Sequence, residues 1–505
     1  MEILNTLFAW IIKKRIHQIE LFVKYPIDVQ NEWLNKLLRT AQNTEWGKRY
    51  DFKSIKNYET FKNRIPLQDY ETIKKDIIRI KHGEQNILWP SEIKWFAKSS
   101  GTSSDKSKFI PVSKESLEEC HYKGGKDMLS LYYHNYPESR LFAGKALVVG
   151  GSRQINQFSS NSYYGDLSAI IMSNLPFWAE FRRVPKLTTA LMDEWETKIE
   201  KMAYETADED VTNISGVPSW TLVLLRKILE IKGKNDISEV WPNLELFIHG
   251  GVSFTPYRDQ YKQLISSPGM RYLETYNASE GFFGIQDDLT KNEMLLMLDY
   301  GIFYEFIPMS DYYSDNPKVI SLEDVDTEKD YAMIITTNGG LWRYRIGDTV
   351  RFTSVNPYKI IVSGRTKFYL NVFGEELMVH NVEQALKTAC EKTGAAITDY
   401  TVAPVFMDGK QRGTHEWLIE FETEPDNFDF FKEILDNTLK TLNSDYEAKR
   451  YKNMVLDFPI IRKIPKNTFY NWMKQRGKLG GQNKVPRMSN ERKYVESILQ
   501  MLQNS

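Results

Sequence analysis

The segment Ser99–Lys108 (SSGTSSDKSK) is rich in groups that bind phosphate. Its serine and threonine hydroxyls, one glycine and two lysines lie close together in the chain. Such a loop offers hydroxyl and backbone N–H donors together with positive charge, which suits phosphate oxygens. Clusters of serine and glycine are, however, most often ordinary surface turns. The segment alone therefore leaves a phosphate site and a plain turn both open.

A second segment, Thr275–Gly281 (TYNASEG), places an aromatic ring, a hydroxyl and a carboxylate close together. The ring of Tyr276 can stack on a base, the hydroxyl of Ser279 can contact a phosphate, and Glu280 can hold Mg²⁺. A polar turn after a strand is an equally good interpretation of these residues. The segment supports a nucleotide site without proving one.

The third segment, Leu341–Asp348 (LWRYRIGD), is followed by Arg365 in the sequence SGRTK. Asp348, at a turn after an alternating strand, can accept hydrogen bonds from both hydroxyls of a ribose, and Arg365 can pair with a phosphate. Both residues can also be ordinary charges at strand ends.

Two other enzyme classes fit these segments less well. Residues 99–108 lack the second glycine that a Walker A loop needs before its Lys-Ser pair, which disfavours a P-loop NTPase. Asn277–Gly281 matches the esterase motif GxSxG except at its first position. That motif requires a helix directly after it. Because the following residues, FFGIQ, favour a strand, we expect no hydrolase here.

Charge and cysteine content argue against a nucleic-acid-binding protein, a disulfide-rich protein and a four-cysteine zinc protein. Among 505 residues, 66 Lys and Arg stand against 67 Asp and Glu, so no basic field indicates nucleic acid binding. The two cysteines, Cys120 and Cys390, exclude a disulfide framework and a four-cysteine zinc site and fit a reducing compartment. An anionic ligand therefore needs a local site rather than a generally basic surface.

The first residues do not resemble a secretory signal. The apolar run Leu4–Ile12 precedes its basic cluster, whereas a secretory signal has its charge first. We interpret this run as a docked amphipathic helix rather than a membrane-surface helix. The chain also lacks an apolar stretch of the ~20 residues needed to span a bilayer. The expectation is a cytoplasmic protein with no membrane partner.

The elements that must position these segments predict an α/β fold. Ala146–Gly150 and Leu244–Ile248 have buried-strand patterns that end at paired glycines, and helical patterns lie between them, which favours a largely parallel sheet. From Arg271 onward, short apolar runs predict a β-rich subdomain. After Arg365 the pattern becomes mixed α+β. We therefore predict a large N-terminal domain, residues 1–365, with α/β layers and the β-rich subdomain, and a smaller mobile C-terminal domain, residues 366–505.

The order and separation of these segments are those of adenylate-forming enzymes, and the chain most resembles the auxin-responsive acyl acid amido synthetases. The resemblance extends over nearly the whole chain. Asp105 departs from it, because the family often has glycine there. The motifs that carry the resemblance are SSGTSSDKSKFIP at Ser99–Pro111, HGG at His249–Gly251, YNASEG, YRIGD at Tyr344–Asp348 and GGQNKVPR at Gly480–Arg487.

The resemblance assigns a role to each matching residue. It implies that Tyr276 stacks on adenine, Ser279 touches the α-phosphate, Glu280 binds Mg²⁺ and Asp348 holds the ribose. The resemblance also implies that Arg365 lies at the hinge end of the large domain and that Lys484 swings in with the C-terminal domain. The resemblance implies two further groups of ATP-binding residues: Ser99, Ser100, Gly101, Thr102, Ser103 and Lys108 around the triphosphate, and Gly250 and Gly251 beside adenine.

The implied activity is ATP- and Mg²⁺-dependent activation of a carboxylic acid as acyl-AMP, followed by conjugation to an amine, with an amino acid expected. Lys484, Glu280 and Arg365 are the predicted catalytic residues. The acyl pocket is expected within 160–173 and 215–220, with Tyr164, Val217 and Pro218 as candidates. An acyl-CoA ligase and a non-catalytic nucleotide-binding protein are the alternatives. We expect a monomer whose partners are small molecules.

Overall fold

The structure is a computed structural model that describes most of the chain. The predicted N-terminal amphipathic helix and residues 100–107 of the predicted phosphate loop lie outside the described residues. The described residues are 15–99, 108–150, 156–159, 161–175, 180–192, 195–251, 254, 257–366, 369–370, 375, 377–406, 413–443, 446–447, 450, 456–479 and 484–503.

The chain divides into two compact units. The large unit contains the described residues of 1–252, 264–346 and 350–362, and the small unit contains those of 253–263, 347–349 and 363–505.

Helices make up much of the first described part of the large unit. Asp69 shows how one of them begins: its carboxylate accepts from the Thr72 backbone N–H, and the Thr72 hydroxyl accepts from the Asp69 N–H, which forms a capping box. Residues 15–24 are also helical. The named helices of this unit are α1 Pro26–Ala41, α2 Glu45–Arg49, α3 Tyr58–Arg64, α4 Tyr70–Lys81, α5 Tyr122–Asn135, α6 Leu167–Ser173, α7 Leu187–Ala190, α8 Trp195–Thr206, α9 Pro218–Lys232 and α10 Ile237–Val240.

A 12-stranded sheet forms the centre of the large unit, in the order β13-β12-β14-β15-β16-β11-β10-β9-β8-β7-β3-β6. Its strands bury long apolar stretches, such as the fully buried β10. The strands are β3 Lys145–Val149, β6 Arg183–Val184, β7 Val211–Gly216, β8 Leu246–Gly250, β9 Arg271–Ala278, β10 Gly281–Ile285, β11 Met294–Leu296, β12 Ile302–Pro308, β13 Ile320–Ser321, β14 Asp330–Thr337, β15 Tyr344–Val355 and β16 Tyr358–Arg365.

The sheet has a parallel part and an antiparallel part. Strand β3 pairs in parallel with β6 and β7, β7 with β8, and β8 with β9. From the β9–β10 hairpin onward, the pairs with β11, β16, β12 and β14 are antiparallel. The predicted α/β core and β-rich subdomain are therefore confirmed, but they share one continuous sheet.

A separate four-stranded sheet has the order β2-β1-β5-β4. Strands β1 and β2 form the hairpin that flanks residues 100–107, and β1 pairs in parallel with β5. The strands are β1 Trp95–Ser99, β2 Lys108–Val112, β4 Asn156–Ser159 and β5 Ser162–Gly165.

The small unit is α+β, as the sequence predicts. It contains the two-stranded ribbon β17-β18 and the three-stranded sheet β19-β20-β21. Its elements are β17 Tyr369–Leu370, β18 Leu377–Met378, β19 Ala396–Val405, β20 Thr414–Thr423, β21 Ile460–Ile464, α11 Arg258–Leu264, α12 Val379–Thr393, α13 Phe428–Leu442, α14 Thr468–Gln475 and α15 Lys493–Gln503.

Among the residues that the structure describes, no helix combines the length and the apolar character that crossing a membrane requires.

Candidate active site

Glycines follow the parallel strands of the large sheet at their carboxyl ends, where ligands of open α/β sheets bind. A Cβ atom on Gly250, the last residue of β8, would lie 2.5 Å from the carbonyl oxygen of Thr275 on β9. Gly251 follows with φ +79, a conformation that favours glycine. Gly250 thus lets the backbone of β8 approach β9 closely, and Gly251 lets the chain turn after the strand.

The register of β8 and β9 brings the predicted adenine-binding residues together. Gly250 pairs with Thr275, so that Tyr276 is the next residue along β9. The ring of Tyr276 is 7% exposed and lies 4.9 Å from the ring of Phe283 on β10. Parallel pairing thus places Gly250, Gly251 and Tyr276 together at the carboxyl ends of β8 and β9.

Ser279 and Glu280 form the turn between β9 and β10. Ser279 is buried, and within the described part of the chain its Oγ has no hydrogen-bond partner. A buried hydroxyl without a partner is costly, so a ligand oxygen at this turn would satisfy it. Glu280 is half-buried. The turn therefore presents one unsatisfied hydroxyl and one carboxylate.

The same turn excludes the esterase alternative. A nucleophile elbow joins a strand to a helix. Here Gly281 starts β10 immediately after the turn, and β10 pairs with β9 as an antiparallel hairpin. Ser279 therefore does not occupy an elbow.

Tyr344, the first residue of β15, is buried near Glu280, and no role was predicted for it from the sequence. Its side chain is 0% exposed, and its hydroxyl has no hydrogen-bond partner among the described residues. Burial raises the pKa of Tyr344 well above its usual value, and the negative charge of Glu280 raises it further. Tyr344 therefore stays a neutral phenol near the Glu280 carboxylate. Its place in the YRIGD motif was the one sequence signal for it.

The ends of the predicted phosphate loop are anchored by the β1–β2 hairpin. Ser99 pairs with Lys108 at the end of this hairpin where the two strands meet the segment 100–107. The backbone N–H of Phe109 donates to the hydroxyl of Tyr70 at 3.0 Å, which fixes β2 against α4. The predicted ligands Ser100, Gly101, Thr102 and Ser103, and also Asp105, lie outside the described residues.

Side chains that could bind a metal ion are dispersed in the described part of the chain. Across the described ranges, His, Cys, Asp and Glu do not gather in any group of three that could hold a metal ion. Mg²⁺ sites in nucleotide enzymes commonly use one or two carboxylates together with substrate phosphates. A single carboxylate at Glu280, beside the unsatisfied Ser279 hydroxyl, fits that kind of site.

The predicted acyl-pocket residues lie on two elements. Val217 caps α9, and the buried Pro218 is the first residue of that helix. A Cβ atom on Gly216, the last residue of β7, would lie 2.6 Å from the Thr221 hydroxyl, so the end of β7 and the first turn of α9 approach closely. Thr221 is fully buried, and within the described chain its Oγ1 has no hydrogen-bond partner, a feature that the sequence did not reveal.

Tyr164 on β5 belongs to an aromatic cluster. Its ring is stacked on that of Phe158 with centroids 3.9 Å apart, and it meets the ring of Phe109 edge-on at 5.1 Å. The ammonium group of Lys81 lies 3.7 Å from the Phe158 centroid. Burial lowers the pKa of Lys81. Tyr164 thus packs in the four-stranded sheet, away in sequence from the β7–α9 junction.

In the small unit, the structure brings Asp348, Arg365 and Lys484 together. Arg365 Nε lies 2.7 Å from Asp348 Oδ1, and the arginine side chain is 43% exposed. Lys484 is partly buried. Burial lowers the pKa of Lys484 to about 8, the positive charge of Arg365 lowers it too, and Asp348 opposes both effects. In this cluster a lysine with a lowered pKa lies near the Asp348–Arg365 ion pair.

Comparison with known protein families gives one consistent result. The GH3 family N-terminal domain matches residues 15–270, the GH3 family central domain matches 295–365, and the GH3 family C-terminal domain matches 380–493. A similar curated protein is an indole-3-acetic acid-amido synthetase, GH3.4 of Arabidopsis thaliana. It is 24% identical over 94% of this chain and 91% of its own length.

Solved structures share the fold over almost the whole chain. The GH3.15 acyl acid amido synthetase superposes with a TM-score of 0.78 at 18% identity, covering 96% of this chain and 95% of its own. A 2-hydroxyisobutyryl-CoA ligase in its postadenylation state superposes with a TM-score of 0.59 at 13% identity, covering 94% and 92%.

Proposed function

Because this chain belongs to the GH3 family, we propose that it is an acyl acid amido synthetase that uses ATP and Mg²⁺. It activates a carboxylic acid as acyl-AMP with release of pyrophosphate, and then transfers the acyl group to the amine of an amino acid. The GH3.4 relative is named for this kind of reaction with indole-3-acetic acid. Aryl and indolyl acids are therefore the first substrates to test.

The turn between β9 and β10 carries this proposal. Its buried Ser279 hydroxyl lacks a partner among the described residues, and Glu280 stands next to it. Tyr276 and Gly250 lie at the same edge of the sheet. A flat aromatic ring, a close glycine backbone, an unsatisfied hydroxyl and a carboxylate suit adenine, an α-phosphate and its metal ion.

The remaining roles follow from the resemblance. Ser99 to Ser103 and Lys108 hold the triphosphate, Gly251 borders adenine, and Asp348 accepts from the ribose hydroxyls. Tyr164, Val217 and Pro218 line the acyl pocket. We place the domain boundary between Arg365 and Thr366 and expect a monomeric, cytoplasmic enzyme.

The chemistry depends on stabilising charge at the α-phosphate. A carboxylate is a poor acyl donor. One of its oxygens attacks the α-phosphate of ATP, the bond to the β-phosphate breaks and pyrophosphate leaves. The product is a mixed anhydride, acyl-AMP, whose carbonyl carbon an amine can attack with loss of AMP. Glu280 would hold Mg²⁺, which neutralises phosphate charge when it is bound. The Lys484 ammonium stabilises the charge that develops during adenylation. Ser279 donates its hydroxyl hydrogen to an α-phosphate oxygen.

Pyrophosphate release tests this function directly. Purified protein is incubated with ATP, Mg²⁺ and a panel of indolyl, aryl and aliphatic acids, and the active acids are repeated with pooled amino acids and mass analysis. We expect acid-dependent pyrophosphate and an acyl–amino acid amide. Absence of pyrophosphate with every acid, together with no ATP binding, would refute the proposal.

An acyl-CoA ligase is the second candidate, since its first half-reaction is the same and a CoA ligase shares the fold. The acceptor separates the two. Consumption of a thiol rather than an amine by the acyl adenylate would identify the CoA ligase. ATP binding without any acid-dependent pyrophosphate would instead identify a non-catalytic nucleotide-binding protein.

A further inference from the structure

Arg487 stands three residues after Lys484, on a segment that is tied to β19 by its backbone. The Val402 N–H donates to the Arg487 carbonyl at 3.0 Å, and the Ser489 N–H donates to the Val402 carbonyl at 3.1 Å. The Thr401 hydroxyl donates to the Pro486 carbonyl at 2.6 Å. The chain from Pro486 to Ser489 therefore has a fixed position on the edge of the small sheet.

The side chain of Arg487 adds three contacts to this anchor. Its guanidinium forms an ion pair with Asp399. It also donates from Nη2 to the hydroxyl of Tyr257 at 3.0 Å. Its Cζ atom lies 4.7 Å from the centroid of the Tyr400 ring. A planar guanidinium with two directional partners and a ring beneath it is held in orientation as well as in position.

The partners of Arg487 are themselves fixed. Asp399 and Tyr400 belong to β19, which pairs with β20 along its length. Tyr257 immediately precedes α11, and Gln260 of that helix donates from Nε2 to the Ile397 carbonyl at 3.0 Å. Both anchors of the guanidinium are therefore held on β19. The segment Pro486–Ser489, which closely follows Lys484 in the chain, is held on the same strand.

We propose that Arg487 is a positioning residue that places Lys484 for the adenylation step, with Asp399 and Tyr257 as its anchors. This inference rests on the proposed function. A lysine head on a flexible four-carbon stem can act on a developing charge only if its backbone is fixed. A displacement of about 1 Å is enough to cost about 100-fold in rate.

The test compares the two half-reactions in full-length variants. Arg487→Ala removes the guanidinium, Arg487→Lys keeps the charge but loses the fork, and Tyr257→Phe removes one hydroxyl. We expect the kcat of acid-dependent pyrophosphate release to fall about 10- to 100-fold in the alanine variant, which matches a misplaced catalytic group. The other two variants should lose less, and the KM for ATP should stay within about twofold of the parent value.

Amide formation provides the internal reference. It is started from the chemically synthesised adenylate of the acid that gives the fastest wild-type pyrophosphate release, with its preferred amino acid. We expect this rate to be unchanged in all three variants, because Lys484 acts in adenylation. Arg492→Lys is the matched control. Arg492 also pairs with a carboxylate, Glu416, and donates to the Pro404 carbonyl at 3.0 Å, so both of its half-reactions should stay at the wild-type rate.

Chemical labelling of Lys484 gives a readout that needs no turnover. Peptide-resolved reductive methylation across pH measures the reactivity of this amine in each variant. When Arg487 no longer holds the segment, Lys484 should be more exposed to water, and its labelling curve should move to higher pH.

The outcomes separate the two proposals. Wild-type-like adenylation and labelling in Arg487→Ala, or equal loss of both half-reactions, would overturn the positioning role. If wild-type protein binds no ATP and releases no pyrophosphate, the proposed function fails. In that case an unshifted labelling curve in Arg487→Ala would also show that Arg487 does not position Lys484.

Discussion

Ser279 and Glu280 show how one short turn can combine two chemical roles. Ser279 is buried with an unsatisfied hydroxyl within the described chain, whereas Glu280 is half-buried and can reach a solvated ion. Placing both at a two-residue hairpin turn fixes their separation through the β9–β10 ladder. Glu280, the proposed metal ligand, can therefore be changed without removing the Ser279 hydroxyl.

Replacing Glu280 with Gln should abolish most adenylation. The substitution keeps the volume but removes the charge that would hold Mg²⁺, and loss of one group that stabilises transition-state charge costs about 100-fold or more. The measurement is acid-dependent pyrophosphate release at saturating Mg²⁺, with thermal melting to show an intact fold. Glu239→Gln, at an exposed glutamate paired with Lys234, is the control and should be neutral. Unchanged turnover in Glu280→Gln would reject its assigned role.

Adenylation should lose rate as pH rises through about 8, because burial and Arg365 lower the pKa of Lys484 to about 8. Above that pH the amine is neutral and cannot stabilise negative charge at the phosphate. The quantity to measure is kcat/KM for ATP, since its pH profile reports groups of the unliganded enzyme.

Lys484→Arg supplies the control for this profile. Arginine keeps its charge throughout this pH range, so that the decline near pH 8 should disappear even if the overall rate is lower. If the decline persisted in Lys484→Arg, another group would be responsible for it.

Residues that act locally were accessible to sequence reasoning, and residues that act through distant partners were not. Tyr276, Ser279 and Glu280 share one hairpin, so their spacing alone indicated a shared site. The surroundings of Tyr344 and Arg487 form only when the chain folds, because their partners are distant in the sequence. Arg487 meets Asp399 and Tyr257, which lie 88 and 230 positions away in the chain.

At the level of single elements, the close contact between β8 and β9 shapes the end of the two strands at which Gly250 and Tyr276 lie. A methyl group at Gly250 would lie 2.5 Å from the Thr275 carbonyl oxygen and 3.0 Å from its Oγ1. The first of these atoms is backbone, which cannot rotate away. Either the two strands separate or their ends shift.

Gly250→Ala should therefore raise the KM for ATP several-fold and lower stability by about 1–3 kcal/mol, the usual cost of overpacking. ATP titration of the initial rate and urea unfolding measure the two effects. Gly125→Ala is the matched control, because a Cβ there meets nothing within 4 Å. It lies in α5, where alanine is the better helix former, so stability should hold or rise slightly. Equal behaviour of the two variants would contradict the close-approach argument.

The start of β15 shows where element prediction failed. The sequence pattern predicted a strand within Leu341–Asp348 with Asp348 at the turn after it. In the structure β15 begins at Tyr344 and continues through Asp348 to Val355, so the predicted turn at Asp348 is wrong. Arg343 has φ +46, which interrupts an extended strand. Its guanidinium bonds Glu305 and donates to the carbonyl of Ile65 at 2.6 Å. No local pattern encodes partners so distant in the chain.

At the scale of the whole molecule, the strand–glycine pattern correctly indicated an α/β core, but not the full sheet. Parallel strands joined through helices leave a repeated local signature. The antiparallel part leaves no such signature, since β11 pairs with β16 although the strands β12, β13, β14 and β15 lie between them in the sequence. The predicted family is confirmed by domain matches along the chain.

A buried ion pair fastens the N-terminal helices to the β-rich part of the large unit. Arg343 and Glu305 have side chains that are 4% and 1% exposed, with Nη2 and Oε1 2.9 Å apart. The Tyr58 hydroxyl donates to Glu305 at 3.1 Å, and Arg343 also donates to the Lys62 carbonyl at 2.6 Å. The two charges thus connect segments that are far apart in the chain.

Arg343→Met should lower the stability of the large unit by about 3–5 kcal/mol, because it leaves the Glu305 carboxylate buried without its cation. Urea unfolding followed by tryptophan fluorescence measures the loss. The control is Arg351→Met, which breaks a more exposed ion pair: the side chain of Arg351 is 26% exposed and that of its partner Asp330 is 15% exposed. This variant should lose about 1 kcal/mol of unfolding free energy or less. The double variant Arg343→Met with Glu305→Leu should recover part of the loss, since no unpaired charge remains in the core. A double variant less stable than Arg343→Met would show that Glu305 stabilises the fold through contacts other than this ion pair.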